Sequence, residues 1–338
     1  MRKIISLIMR VAVSAAIFIF VISKIGLCDP DLSFFERFWE NFSAIILNFR
    51  VFSAGKILGF LLIFFVMILI AVFRWKILLT NRGFKISFAR VFKYSIIGLL
   101  FNNVMPSTLG GDIIKGYYIH RDAVNMKKAA VFTIFADRAI GALATFIFIF
   151  FGALYLQKTV VQVRFLVWLL LAGFFFMVLF AVFLDEKFLL KTAFYKGLPD
   201  DHILRKIHSA VFFYKRKGRS AFLTALFLSF FVQTAVISLN YFIMVSFLKR
   251  PLPFFSFLCV IPVINVIQGL PVSFAGWGIG EAAYSVLFNL LGISSEISVA
   301  TSLANKIVIL IVSSLGLPFY IMYKPSKIKH LKTSAGKN

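Results

Sequence analysis

The chain has few residues of the kinds that build covalent, redox or metal centres. Among its 338 residues there are two cysteines, Cys28 and Cys259, and four histidines. Two cysteines do not make a disulfide framework, and the histidines lie in or near basic segments without the spacing of zinc ligands. The phosphate-binding loop G-x-x-x-x-G-K-[ST] is also missing. We therefore expect no cofactor, no bound metal and no ATP hydrolysis through such a loop.

Charge is scarce as well. Charged residues make up 15% of the chain and hydrophobic residues 61%, including 44 phenylalanines. This composition excludes an ordinary soluble domain, in which about 25% of residues are charged. The apolar runs are long enough for helices of about 20 residues and lack the alternating pattern of an outer-membrane barrel. The sequence therefore predicts an all-α, polytopic transmembrane helical bundle.

The apolar runs divide into six full spans and two interrupted segments. The interrupted segments cover 88–118 and 253–292, and each is long enough for two helical arms. We interpret both as broken or re-entrant hairpins that enter and leave on the same side, although two short full spans each would give the same loop parity. The predicted full spans are 4–23, 56–73, 129–155, 164–184, 220–247 and 298–322.

Lysine and arginine indicate how these spans are oriented, because cytoplasmic loops retain them. They cluster at the N-terminus, after the second span (Arg74, Lys76 and onward), after the first hairpin, in the 185–219 loop and in the tail, whereas the 24–50 loop is nearly neutral. We expect both termini, including a basic tail at 324–338, to be cytoplasmic, and the protein to lie in the plasma (inner) membrane. The net charge of +24 is then an orientation signal, and nucleic acid is not implied.

Two short motifs, 165 positions apart, interrupt the hairpins. They read Asn103-x-x-Pro106-x-Thr108 followed by Gly110-Gly111-Asp112, and Gln268-x-x-Pro271-x-Ser273 followed by Gly276-x-Gly278-x-Gly280-Glu281. Proline and glycine free backbone groups that lipid cannot satisfy, so such backbone needs surrounding protein or a wet cavity. Paired interruptions of this kind are typical of a transport site.

The same elements recur in both halves of the chain. The order span, span, hairpin, span in 1–155 is repeated in opposite orientation in 164–322. We therefore predict one integral-membrane domain over 1–323 with two inverted-topology repeats, each of three spans plus a hairpin. This plan places a binding site near the bilayer midplane, between the halves.

Charges inside the apolar segments are the remaining candidates for function, because each costs about 3 kcal/mol or more unless it is paired or hydrated. Asp137-Arg138 and Asn305-Lys306 lie at similar depths in the last span of each half, and the inverted plan would bring them toward one cavity. Cations and helix N-termini suit an anion such as a lipid phosphate, while carboxylates suit an amine, a cation or a coupling proton. The six charges are Asp112, Lys115, Asp137, Arg138, Glu281 and Lys306.

A structural role is the alternative for four of these charges. Asp112 and Glu281 follow glycines at the start of a helical arm, where a carboxylate caps free N–H groups. Arg138 could form a packing ion pair with Asp137 or Asp112. Lys115 could extend to the cytoplasmic interface.

Taken together, the motifs resemble the membrane region of the lysylphosphatidylglycerol synthases and their stand-alone relatives, over roughly 10–320. The residues that carry the resemblance are the two hairpin motifs with Gly269-Leu270 before Pro271, Asp137-Arg138-x-x-Gly141, and Arg74-Trp75. The resemblance implies a lipid translocase, because in the synthases this region moves aminoacylated phosphatidylglycerol to the outer leaflet. The chain ends about 15 residues after its last span, so we expect the soluble aminoacyl-transfer domain, and aminoacyl transfer itself, to be absent.

We therefore expect a flippase for an anionic or zwitterionic phospholipid or a polyprenyl-linked lipid. Its expected partners are membrane lipids, and a homo-oligomer or a lipid-synthesising partner is compatible with this function. Two alternatives stay open: a membrane transferase acting on a lipid-linked sugar or phosphatidylglycerol, with Asp112 or Glu281 as base, and a non-catalytic member of an envelope-assembly complex. The predicted substrate-binding residues are Asn103, Pro106, Thr108, Gly110, Gly111, Asp112, Lys115, Asp137, Arg138, Gln268, Pro271, Ser273, Gly276, Gly278, Glu281, Asn305 and Lys306.

Overall fold

The computed structural model describes residues 2–25, 32–105, 110–123, 127–159, 168, 173, 218–270 and 273–323. Within these residues the fold is all-helical and contains no β-strand, as the sequence predicts. The helices are α1 (Arg2–Ser23), α2 (Phe34–Asn48), α3 (Ala54–Asn81), α4 (Phe88–Val104), α5 (Gly110–Asp122), α6 (Lys127–Thr159), α7 (Arg219–Leu248), α8 (Phe254–Gly269), α9 (Ile279–Asn289), α10 (Ser295–Ser314) and α11 (Gly316–Ile321). The predicted span at 164–184, the 185–219 loop and the tail lie outside the described residues.

In the part of the chain that the structure describes, four stretches are long and apolar enough to cross a membrane. They are α3, residues Ala129–Leu156 of α6, α7, and the continuous stretch Ser295–Ile321 formed by α10 and α11. Shorter apolar helices are formed by Val11–Ser23 of α1 and by α8. The protein is therefore a multi-pass membrane protein.

Each of the two interrupted segments forms a pair of helices in contact, α4 with α5 and α8 with α9. The first helix of each pair ends two residues before a proline, at Val104 and Gly269. Proline disfavours helical geometry in the residue before it and cannot donate the next backbone hydrogen bond, so the breaks fall where the sequence places them.

Two predicted boundaries are wrong. Helix α3 continues to Asn81, so Arg74 and Lys76 lie in the helix and not in the loop predicted to begin at 74. Arginine is a good helix former, and Asp137 neutralises the Arg74 guanidinium where the helix buries it. The predicted 24–50 loop contains α2, which Ser33 and Glu36 cap reciprocally. Hydrogen bonds from Ser33 also hold the pKa of Glu36 below its ordinary value.

The helix pairs in contact recur in the same order along the chain. In the first half α3 contacts α4, α4 contacts α5, α5 contacts α6, and α6 returns to α3. In the second half α7, α8, α9 and α10 make the same four pairings. Between the halves α3 packs against α7, and α6 packs against α8.

The two ends of the bundle are held by different residues. At one end Asp122, the last residue of α5, accepts hydrogen bonds from Tyr94 near the start of α4 and, at 2.8 Å, from Tyr323 after α11. At the other end α2 lies across the end of α1 and the start of α10, where Asn41 donates to the carbonyl oxygen of Ile22 at 2.8 Å and Asn48 donates to Glu296. The first half of α4 and the end of α5, which the break between the two helices does not connect, therefore lie together.

Close contact between α6 and α8 requires a glycine at 152. A Cβ atom on Gly152 would lie 2.7 Å from the Cβ and 2.8 Å from the Cα of Cys259, which is buried in α8. Real side chains do not approach so closely, so α8 would have to move away from α6.

We predict that Gly152→Ala destabilises the protein by about 1–3 kcal/mol, the range for overpacked cores. Thermal unfolding in detergent, followed by fluorescence-detected size-exclusion chromatography, measures the loss. Gly59→Ala in α3 is the matched control, because nothing lies within 4 Å of a Cβ atom added there. Equal unfolding temperatures for the two variants would show that α6 and α8 are not in this contact.

Candidate functional site

A buried ion pair joins α9 to α10. The Lys306 ammonium lies 2.6 Å from Oε1 of Glu281, whose side chain is fully buried. The same ammonium donates to the carbonyl oxygen of Gly276 at 3.1 Å and lies 4.4 Å from the centre of the Trp277 ring. Lys306 is thus held by a carboxylate, a backbone carbonyl and an aromatic face.

The backbone before α9 is built to receive Glu281. Gly276 and Gly278 have φ values of +75° and +80°, a conformation that L side chains rarely adopt. The turn directs the N–H of Gly278 at Oε2 of Glu281, 2.8 Å away, and the hydroxyl of Ser302 donates to Oε1 at 3.3 Å. Glu281 therefore caps the helix, as its position predicts, and binds Lys306 with its other oxygen.

Helix α1 covers this turn. Its Ser14 hydroxyl accepts a hydrogen bond from the N–H of Phe274 at 2.6 Å, and Phe18 packs edge-on against Trp277. A Cβ atom on Gly278 would lie 2.6 Å from the carbonyl oxygen of Ser14, so only glycine allows α1 to approach this closely.

A second ion pair joins α5 to α6. The Arg138 guanidinium donates through Nε and NH2 to the two oxygens of Asp112, at 2.5 and 2.9 Å. Lys115 lies 3.9 Å from the same carboxylate. The Asp112 side chain is 11% exposed, whereas that of Arg138 is 51% exposed, so this pair is far more accessible than Glu281 and Lys306.

Asp137, next to Arg138, has a different partner. It accepts two hydrogen bonds from Arg74 of α3, at 2.7 and 2.9 Å. The remaining Arg74 nitrogen donates to Ser229 of α7 at 2.8 Å. The sequence offered Asp137 and Asp112 as partners of Arg138. In the structure Arg138 pairs with Asp112, and Asp137 pairs with Arg74.

An amide side chain lies against the start of each short helix. The Asn102 side-chain oxygen accepts a hydrogen bond from the N–H of Gly111 at 2.7 Å. In the second half the Gln268 amide lies against Gly280, where its Cδ would be 3.2 Å from an added Cβ atom. Asn103, one of the predicted substrate-binding residues, donates to Ser313 of α10 at 3.0 Å.

The residues of the two sites occupy equal positions in equivalent helices. Asn102 and Gln268 are the fifteenth residues of α4 and α8. Asp112 and Glu281 are the third residues of α5 and α9. Arg138 and Lys306 are the twelfth residues of α6 and α10, directly after Asp137 and Asn305.

The other predicted site residues are distributed around these pairs. Ser273 is 1% exposed, and its hydroxyl has no hydrogen-bond partner in the described part of the chain. Asn305 is buried and interacts with the Tyr284 hydroxyl, which also donates to Asn240. Gly110 and Gly111 are buried at the start of α5. Pro106, Thr108 and Pro271 lie outside the described residues.

Four residues of the sites were not among the predicted site residues: Arg74, Asn102, Trp277 and Ser302. A signal existed for Arg74, because it directly follows an apolar run that ends without a helix-breaking residue. Asn102 could have been favoured over Asn103 only by knowing which face of α4 meets α5. Trp277 and Ser302 carry no signal in the sequence that separates them from packing residues.

The charged groups of these two ion pairs are of the kinds that bind a charged ligand in place of each other. Each site holds a cation, a carboxylate and the N-terminus of a short helix within hydrogen-bonding distance. Cations and helix N-termini bind phosphate oxygens, and carboxylates bind ammonium groups. In the described residues no group of three or more His, Cys, Asp or Glu could hold a metal ion.

Sequence comparison agrees with this membrane architecture. The model of the family "Lysylphosphatidylglycerol synthase TM region" matches residues 7–316. The chain is also similar to the UPF0104 membrane protein MJ1595 of Methanocaldococcus jannaschii, with 25% identity over 283 residues that cover 75% of this chain and 79% of the relative.

We predict that Arg74 and Asp137 stabilise the fold as a pair. Removing one partner leaves a buried charge, so Arg74→Met or Asp137→Leu should each destabilise the protein by about 3–5 kcal/mol. The double variant buries no charge and should recover much of that loss. Thermal unfolding of the three variants in detergent tests the cycle. Additive losses in the double variant would show that the two side chains are not coupled.

Proposed function

Because the chain belongs to the family of the lysylphosphatidylglycerol synthase transmembrane region, we propose that it is a flippase that moves a phosphate-bearing lipid between the leaflets of the bilayer. The cargo is an anionic or zwitterionic phospholipid or a polyprenyl-linked lipid. The protein lies in the plasma membrane with both termini in the cytoplasm.

The observation that carries this proposal is the matched pair of ionic sites. A well-packed apolar pair in place of Glu281 and Lys306 would stabilise the bundle at least as well as this buried ion pair does. The same pairing between a third and a twelfth residue recurs at Asp112 and Arg138. A charged cargo that passes both sites accounts for both ion pairs, whereas helix capping accounts only for Glu281.

The repeated contacts support an inverted-repeat plan for this flippase. Helices α3 to α6 and α7 to α10 pair in the same order, and their charged residues occupy equal helix positions. The predicted topology places the start of α4 and the ends of α5 and α11 on the cytoplasmic side, and Tyr94, Asp122 and Tyr323 join those three ends. It places the end of α1 and the start of α10 outside, and α2 joins those two.

We assign the head-group contacts as follows. Arg138 and Lys306 bind the lipid phosphate, with the N-termini of α5 and α9 adding their N–H groups. Asp112 and Glu281 neutralise these cations while the sites are empty, and turn to an amine or take up a proton when phosphate arrives. Arg74 and Asp137 hold α3 and α6 in register beside the first site. Lys115, 3.9 Å from Asp112, adds a second cation there.

Transport by reconstituted protein tests this assignment. In proteoliposomes containing fluorescent nitrobenzoxadiazole-labelled phosphatidylglycerol or phosphatidylethanolamine, dithionite bleaches the outer-leaflet probe and reports its movement. Arg138→Gln and Glu281→Gln should each slow translocation at least about fivefold, since each removes one phosphate-binding charge or the group that balances it. Arg138 is half-exposed, so the purification profile of Arg138→Gln should stay that of the wild type. Glu281→Gln leaves the buried Lys306 without its carboxylate and should lower the unfolding temperature, so its translocation rate is measured on the monodisperse fraction and scaled to the amount of folded protein.

Lys56→Gln is the control for loss of a positive charge. Lys56 is exposed at the start of α3, where it donates to the carbonyl oxygen of Val51. It should translocate lipid at the wild-type rate. Wild-type rates for Arg138→Gln and Glu281→Gln would show that both ion pairs are structural and that the proposed head-group sites are wrong.

A further inference from the structure

Helix α2 has three faces of different chemistry. At about 100° per residue, Phe35, Trp39 and Ile46 fall within about 40° of arc. Their exposed fractions are 65%, 62% and 48%. Three large apolar side chains are thus uncovered side by side.

A second face of α2 packs on the protein. Asn41 and Ile45 are buried, and Phe38 and Phe42 pack into the cluster formed with Ile22 of α1 and Val299 of α10. Beyond the end of α2, Phe49 packs edge-on against Phe247 at the end of α7, with ring centres 5.7 Å apart. This face seats α2 across one end of the bundle.

The third face is polar from Glu36 to Ser43 and follows directly on the exposed apolar one. Glu36, Glu40 and Ser43 are exposed there, and Leu47 ends this face at the last turn of the helix. Arg37 follows Glu36 directly and lies three residues before Glu40, so these three side chains carry a net charge of −1. The helix has 15 residues and is about 22 Å long, too short for a hydrocarbon core of about 30 Å.

We propose that α2 lies in the membrane–water interface and binds the lipid surface with its exposed apolar face. The helix runs along the bilayer plane, with Phe35, Trp39 and Ile46 among the upper acyl chains and Glu36, Glu40 and Ser43 among the head groups. Interfacial helices combine a bulky apolar face with a polar one in this way, and tryptophan favours this depth.

Three observations favour lipid over a second copy of the chain. Helix α1, which contacts α2, also exposes a large apolar side chain near its end, Phe20, at 56%. The polar face borders the apolar face from Glu36 to Ser43, as a flat boundary between lipid and water requires. The helix joins the ends of α1 and α7 to the start of α10, and helix ends lie at the membrane surface.

Electron paramagnetic resonance of spin labels on the full-length protein in nanodiscs tests the proposal. In a background of Cys28→Ser and Cys259→Ser, single cysteines replace Trp39 and Ile46 on the apolar face and Glu36 and Glu40 on the polar face. All four positions are exposed, so the labels should not disturb folding. Collisions with oxygen report lipid, and collisions with nickel-EDDA, a water-soluble complex, report the aqueous phase.

Labels at 39 and 46 should collide several-fold more with oxygen than with nickel-EDDA, and labels at 36 and 40 should show the reverse. Two results would overturn the proposal. Equal access of nickel-EDDA to all four labels would place α2 in water. Immobilised labels at 39 and 46, shielded from both reagents, would mean that a second copy or another protein covers this face. The outcome does not depend on whether the protein transports lipid.

Discussion

A charge inside an apolar bundle must have an opposite charge or a hydrogen-bonding dipole beside it, and this requirement decides which helices of the protein are neighbours. Asp137 and Arg74 fix α6 against α3, Asp112 and Arg138 fix α5 against α6, and Glu281 and Lys306 fix α9 against α10. Each pair forms at 2.5–2.7 Å. The apolar packing between these helices has no comparable means of selecting one register.

The same requirement explains the irregular backbone before α9. A helix that begins inside a membrane protein has free N–H groups, and lipid offers them no acceptor. The left-handed turn at Gly276 and Gly278 brings one of these groups to Glu281, and Lys306 then balances the added charge. In the first half Asn102 supplies the acceptor, which leaves Asp112 free for Arg138 and makes the first site the more exposed of the two.

The sequence was sufficient to predict the helical bundle and both breaks, and it indicated six intramembrane charges that need partners, because composition, proline and intramembrane charge act through local physics. The sequence could not predict which side chain each polar residue would contact. One position along α4 turns a side chain by about 100°, which is why Asn102 and not Asn103 meets Gly111. Arg74 could be identified as the partner of Asp137 only by knowing that α3 continues to Asn81. Helix α2 was not predicted because its apolar residues are divided between a packed and an exposed face.

Native mass spectrometry of the lipids that copurify with the protein tests the central claim most directly, since the claim is that paired charges bind a head group. The account predicts that the wild type retains a phosphate-bearing lipid after mild detergent extraction. Arg138→Gln combined with Lys306→Gln should lose that lipid, while Lys56→Gln should retain it. The same lipid at the same occupancy in all three proteins would contradict the account.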